Sequence, residues 1–136
     1  SFTAYLRQHT SEYLVSAGID GCFHFPEECP PVSMTSEQNR NIYLVVKEAI
    51  HNSVKHSEAR SVSVSLSYSD DLLSISIKDN GKGFNPVKPE RIGNGLTTMR
   101  KRIENLGGSY VIDSAPGNGT RVDFSLSLTR KNSIKR

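Results

Sequence analysis

Leu73-Ser74-Ile75-Ser76-Ile77-Lys78-Asp79-Asn80-Gly81-Lys82-Gly83-Phe84 is the stretch from which the fold can be read. Apolar residues at 73, 75 and 77 alternate with polar ones, the pattern of a half-buried strand. Asp79 falls two residues past Ile77 and continues the inward-facing row. A carboxylate aimed at a core is costly unless donors surround it. Gly81 and Gly83 follow, and glycine allows a backbone to turn tightly or approach a ligand closely. An inward aspartate with a glycine-rich loop behind it points to a pocket. Asp-Asn-Gly is also an ordinary turn signal, and the hexapeptide Asp79–Phe84 alone leaves both readings open.

Upstream, Val62, Val64, Leu66 and Tyr68 alternate with serines, and Asp70-Asp71 turns this strand into the 72–79 strand as a hairpin. Before it, Thr35 with Gln38 three residues later resembles a capping box. The helix it opens should run to about Ser57, with Ile42, Val45, Val46, Ala49, Ile50 and Val54 as its apolar residues. Residues 2–17 show near-helical spacing of Phe2, Tyr5, Leu6, Tyr13, Leu14 and Ala17, stopped by Gly18. Ile19 to Phe25 reads as a short strand, and Pro26, Pro30 and Pro31 make the next stretch a rigid loop. Downstream, 85–95 reads as a loop and Leu96 to Leu106 as a helix ended by Gly107-Gly108. Tyr110 and Ile112 mark a strand, 115–119 a turn, and Val122, Phe124, Leu126 and Leu128 the last strand. Hairpins dominate, and helices need not link parallel neighbours. The expected class is α+β, a two-layer sandwich with helices packed on one face of a mixed sheet.

The 136 residues suffice for one domain with a real core. No apolar run approaches the ~18 residues of a membrane span, and no signal-peptide pattern is present. The chain starts at Ser1 without Met, already in helical pattern, which suggests a piece of a longer protein. The net charge of +3 is local. Residues 130–136 hold four of the 17 basic residues, leaving 13 basic against 14 acidic, so no nucleic-acid footprint is expected. The expected division is a domain over 1–129 and a basic, flexible tail over 130–136. Cys22 and Cys29 are expected as free thiols in a reducing compartment, since two cysteines make no disulfide framework.

Three further clusters carry chemistry. Glu48 and Asn52 are four apart and share a helix face, with Lys55 three beyond Asn52 and His56 next to it. Oxygen donors with a cation nearby suit a nucleotide–Mg²⁺ complex, and a solvated polar face is the bland alternative. Gly93-Asn94-Gly95-Leu96 feeds a helix N-terminus, whose free N–H groups and dipole suit phosphate, or simply needs glycine for its turn. Gly117-Asn118-Gly119-Thr120 leads into the last strand, where a hydroxyl could join the Asp79 pocket.

In this order the motifs ExxxNxxKH, DxGxGF, GxGL and GxGT resemble the catalytic ATP-binding domain of sensor histidine kinases, within the gyrase–chaperone–kinase–mismatch-repair ATPase superfamily. The resemblance covers roughly residues 40–128. Glu48 to His56 looks like the N box of the nitrate-sensor and desaturase-thermosensor group. The eight residues between Phe84 and Gly93 are similar to its short ATP lid. The resemblance implies a Bergerat-type ATP-binding fold with ATP and Mg²⁺ as cofactors. Asp79 would accept from the adenine amino group, with a water linking it to Thr120, and the inward carboxylate would gain its donor when ATP binds. Gly81 and Gly83 would let the backbone pass the base. Asn52 would ligate Mg²⁺, Lys55 and His56 would lie near the phosphates, and Gly93, Gly95 and Leu96 would close the lid. Glu48 would position groups around Mg²⁺ first and act as a base second.

The same resemblance implies transfer of a phosphoryl group to a histidine, then to a response regulator. That histidine lies on a dimerisation helix in this family, and none of His9, His24, His51 or His56 fits its pattern. The acceptor and the homodimer interface are therefore expected outside this chain. Neither nucleic acid nor direct membrane contact is expected of what reads as a cytoplasmic domain, whether or not its parent is anchored in a membrane. The alternatives are an anti-sigma-type serine kinase of the same superfamily and an inactive nucleotide-binding scaffold.

Overall fold

The structure is a computed structural model and describes residues 1–85 and 95–131. Its elements are α1 (Phe2–Ser16), β1 (Asp20–His24), β2 (Val32–Ser33), α2 (Ser36–Lys55), β3 (Ser61–Ser69), β4 (Leu72–Asp79), α3 (Gly95–Asn105), β5 (Ser109–Ser114), β6 (Thr120–Ser127) and β7 (Thr129–Arg130). Five strands form one sheet in the order β1-β3-β4-β6-β5. Its ladders are antiparallel except β1 with β3, which run parallel. The helices cover one face, as the alternation in the sequence requires. Val62, Val64, Leu66, Leu73, Ile75 and Ile77 are buried under them, while the serines between these residues lie on the other face.

One expectation on connectivity changes. α2 lies between β1 and β3, which are parallel neighbours, so this helix is a crossover, as a parallel pair demands. The capping box is present: the Gln38 N–H donates to Thr35 Oγ1 at 3.0 Å and the Thr35 N–H to Gln38 Oε1 at 2.9 Å. Ile42, Val45, Val46, Ala49 and Ile50 make the buried stripe of α2. Each large aliphatic side chain so removed from water contributes about 1.5–3 kcal/mol. The stripe of α1 is narrower than its apolar spacing suggests. Leu6, Thr10 and Leu14 are buried at four-residue intervals, and the Thr10 hydroxyl donates to the Leu6 carbonyl at 2.8 Å. Tyr5 stays half exposed, its ring tilted against those of His9 and Tyr43.

The proline loop after β1 and the C-terminal end meet in a ladder that the sequence pattern misses. Val32 pairs with Arg130 and Ser33 with Thr129, and the Lys131 N–H donates to the Pro31 carbonyl at 2.7 Å. Arg130 and Lys131, read as the start of a free tail, are thus held by backbone hydrogen bonds. Residues 132–136 lie outside the described residues, as does Gly93. Cys22 and Cys29 are exposed free thiols.

Candidate functional site

Asp79 ends β4 on the inner face, where it is 4% exposed. The sheet does not bury it alone. α2 and the turn that follows it bring Ser53 and Ser57 over the carboxylate. Ser57 Oγ donates to Oδ1 at 2.9 Å and Ser53 Oγ to Oδ2 at 2.6 Å. The Gly81 N–H adds a bond to Oδ1 at 2.8 Å and the Thr120 N–H another at 3.2 Å. Four donors offset the desolvation of the buried group. They are shared unequally: Oδ1 takes three and Oδ2 one. Ser53 Oγ also lies 3.2 Å from the Ala49 carbonyl, but one hydroxyl proton serves one partner, and the closer, charged carboxylate takes it. Oδ2 therefore keeps lone-pair capacity for a further N–H donor. The expectation that this carboxylate lacks donors until a ligand arrives is corrected, because the fold itself supplies four.

The loop after Asp79 is locked to both of its neighbours. Asn80 turns its side chain back along the sheet, where Oδ1 accepts from the Arg60 and Ser61 N–H groups at 2.9 and 3.0 Å. The Lys82 N–H donates to the Ser57 carbonyl at 2.7 Å, and the Gly117 N–H to the Lys82 carbonyl at 2.6 Å. A Cβ on Gly81 would run into Ser57, and one on Gly83 into the carbonyls of Ala115 and Gly119. Gly83 also needs its φ of +65°. These contacts with the protein itself are enough to require both glycines. The turn's own packing therefore accounts for both glycines.

A cavity opens beside Asp79 between α2, α3 and the sheet. It brings together Asn52, His56, Asp79, Leu96 and Thr120 from the sequence-predicted set, with Ser53, Ser57 and Phe84 beside them. Glu48 and Gly95 line an adjoining cleft between α2 and α3, where a Cβ on Gly95 would meet the Glu48 carboxylate. Lys55 is exposed in the last turn of α2 and lines neither space. Ser53 and Ser57 escaped sequence reasoning, although a signal existed: Ser53 continues the buried stripe of α2 four residues past Ala49, and Ser57, buried just after the helix C-cap, follows four residues later. Burial pushes the phenol of Tyr110 up to about 12 and that of Tyr13 upward, and neither residue lines this cavity.

Chemically, the floor can accept hydrogen bonds from a donor-bearing ring. The α2 end offers the Asn52 amide and the His56 imidazole, with the Glu48 carboxylate one turn from Asn52. Oxygen donors of this kind suit a hard cation such as Mg²⁺, which keeps water and phosphate ligands as well. Among the described residues, no three His, Cys, Asp or Glu side chains form a metal-holding group, so such an ion would depend on the ligand it accompanies.

Residues 37–130 match the family model described as histidine kinase-, DNA gyrase B- and HSP90-like ATPase. The sensor protein VraS of Staphylococcus aureus is 37% identical over 93 residues, covering 68% of this chain and 27% of VraS. VraS of Staphylococcus haemolyticus is 36% identical over 91 residues, covering 67% and 26%. The chain thus spans about a quarter of the length of these relatives. Among solved structures, the histidine kinase domain of the Erythrobacter litoralis EL346 blue-light activated histidine kinase superimposes with a TM-score of 0.77 at 22% identity. That match covers 93% of this chain and 61% of the other. Full-length ShkA in complex with AMPPNP gives 0.78 at 19% identity, covering 98% and 31%. At such identities these two structures establish the shared fold.

Proposed function

This chain belongs to the histidine kinase-, DNA gyrase B- and HSP90-like ATPase family, and we propose that it is the catalytic ATP-binding domain of a two-component sensor kinase. Its cavity binds Mg-ATP, and the γ-phosphoryl group passes to a histidine on a dimerisation domain outside this chain, then to a response regulator. The observation that carries this reading is the Asp79 carboxylate, buried, held by four donors and still able to accept at Oδ2. An adenine amino group is the matching donor. Asn52 would hold Mg²⁺ with Glu48 in its surroundings, and His56 and Lys55 would lie toward the phosphates. Gly95 and Leu96 open α3 at the lid end, and Gly93, outside the described residues, is assigned to the lid from its motif alone. Bound ATP supplies the phosphoryl group, and Mg²⁺ neutralises its oxygens. The chain's own task is alignment and charge stabilisation, which phosphoryl transfer chiefly needs.

The N box from Glu48 to His56 and the short segment between Phe84 and Gly93 support a nitrate-sensor or desaturase-thermosensor type of kinase. In such a parent, a homodimer with its own acceptor helix, this chain is the cytoplasmic module. Among the described residues no helix is long and apolar enough to cross a membrane. Calorimetric titration of the chain with Mg-ATP tests the proposal, with Asp79→Asn as its sharpest variant. Asn keeps an oxygen for the three donors at Oδ1 and turns the Oδ2 position into a donor. Ser53 can then redirect its proton to Ala49. The variant should fold yet lose ATP affinity by about a hundred-fold or more, since a donor now faces a donor. Unchanged affinity in Asp79→Asn, or no binding by the wild-type chain at millimolar nucleotide, would overturn the assignment.

A further inference from the structure

Ser114, the last residue of β5, has a hydroxyl with three polar neighbours. The Phe84 N–H donates to its Oγ at 2.9 Å, the Gly119 carbonyl accepts from it at 3.0 Å, and Thr120 Oγ1 lies 2.8 Å away. A hydroxyl carries one proton and two lone pairs. The one proton of Ser114 has two candidate acceptors, the Gly119 carbonyl, which can only accept, and Thr120 Oγ1, which can also donate. An N–H can only donate, so Phe84 uses one lone pair. All three contacts are hydrogen bonds at once only when Ser114 donates to Gly119 and Thr120 donates to Ser114, the arrangement that satisfies the most groups. Thr120 Oγ1 is then left with lone pairs alone for everything else it meets.

This matters because of where Thr120 stands. It lines the cavity next to Asp79, and its N–H already binds Asp79 Oδ1. A carboxylate accepts only. The polar floor therefore sets two acceptors side by side, one by chemistry and one by the proton direction that Ser114 favours.

We propose that Ser114 is a positioning residue for base selection: by holding the Thr120 hydroxyl as an acceptor, it makes the cavity prefer 6-amino over 6-oxo purine nucleotides. The inference rests on the ATP-binding reading. A 6-amino group brings two N–H donors to the floor, whereas a 6-oxo group brings lone pairs against lone pairs. Ser114 touches no part of the base in this account. It acts through Thr120, and it also ties the glycine loop to the β5–β6 turn through Phe84 and Gly119.

Calorimetry with ATP and inosine triphosphate, on the wild-type chain and on Ser114→Ala and Ser114→Thr, tests it. The wild type should bind ATP more tightly than inosine triphosphate. Ser114→Ala frees the Thr120 hydroxyl to rotate and donate, and the ATP-to-inosine ratio should narrow by about five- to ten-fold, the size of one hydrogen bond. Ser114→Thr keeps the hydroxyl on a strand that tolerates branching, and should restore the ratio. A purely structural Ser114 would weaken both nucleotides alike, and an unchanged ratio overturns the inference. Should Ser114→Ala not fold, Thr120→Val supplies the test, because removing the hydroxyl itself should narrow the ratio; a wild-type ratio in that variant also overturns it. Absence of ATP binding by the wild type would instead overturn the ATP reading, so the two failures are distinct.

Discussion

Asp79 and Lys55 are both charged residues assigned to one ligand, yet they sit in opposite environments. Asp79 is 4% exposed and takes four donors from three separate parts of the fold. Lys55 and His56, on the same helix as Ser53, are exposed. The buried end is pre-organised, because a charge out of water survives only when every donor is in place. At the exposed end, long side chains remain hydrated, where charge–charge interactions are weak and screened by salt. The packed surroundings of Asp79 and the exposed end of α2 should therefore respond to mutation in different observables: stability at the groups that hold Asp79 in place, ligand dependence at Asn52 and Lys55.

Gly83→Ala should show the largest effect on folding. Its φ of +65° and the carbonyl of Ala115 in the path of a Cβ predict a loss of about 2–4 kcal/mol, read from urea unfolding. A loss under ~1 kcal/mol would mean that the loop is not locked to the β5–β6 turn, and the contrast between the ends would weaken. Ser57→Ala removes a donor to Asp79 Oδ1 and the acceptor of the Gly83 N–H. It should cost about 1–3 kcal/mol in the same measurement, since a buried charge loses one of its partners. A change indistinguishable from zero would show that the remaining donors suffice. Asn52→Ala should leave stability within ~0.5 kcal/mol of wild type, since alanine is the better helix former. Its effect should appear as loss of the Mg²⁺ dependence of ATP affinity; an equal loss with and without Mg²⁺ would remove Asn52 from the metal.

Much of this was legible from period alone. The alternation through β3, β4 and β6 marks the inner face and carries Asp79 onto it. Thr35 and Gln38 mark the start of α2 because capping is local chemistry within four residues. Asn52, Asp79 and Thr120 could be named one by one from their motifs. Ser53 and Ser57 could not be placed against Asp79, although Ser53 is on the buried stripe of α2 and Ser57 is buried just past its end. Their partner is 26 and 22 residues away, across a helix-to-sheet contact. The β2–β7 ladder was hidden for a similar reason: two residues on each side are too few to show a period.

By itself the sequence determined the inward Asp79, the amphipathic helices and strands, the order of the four motifs and hence the family. These properties are local, written within one or two turns or a single strand. Only the tertiary structure decided how the carboxylate is satisfied, which of its oxygens remains able to accept, and that the Ser114 and Thr120 hydroxyls meet beside it. Those properties depend on hydrogen bonds between segments far apart in the chain. A hydroxyl's choice of partner is made by whatever the fold brings within three ångströms, and a one-dimensional pattern does not contain that distance.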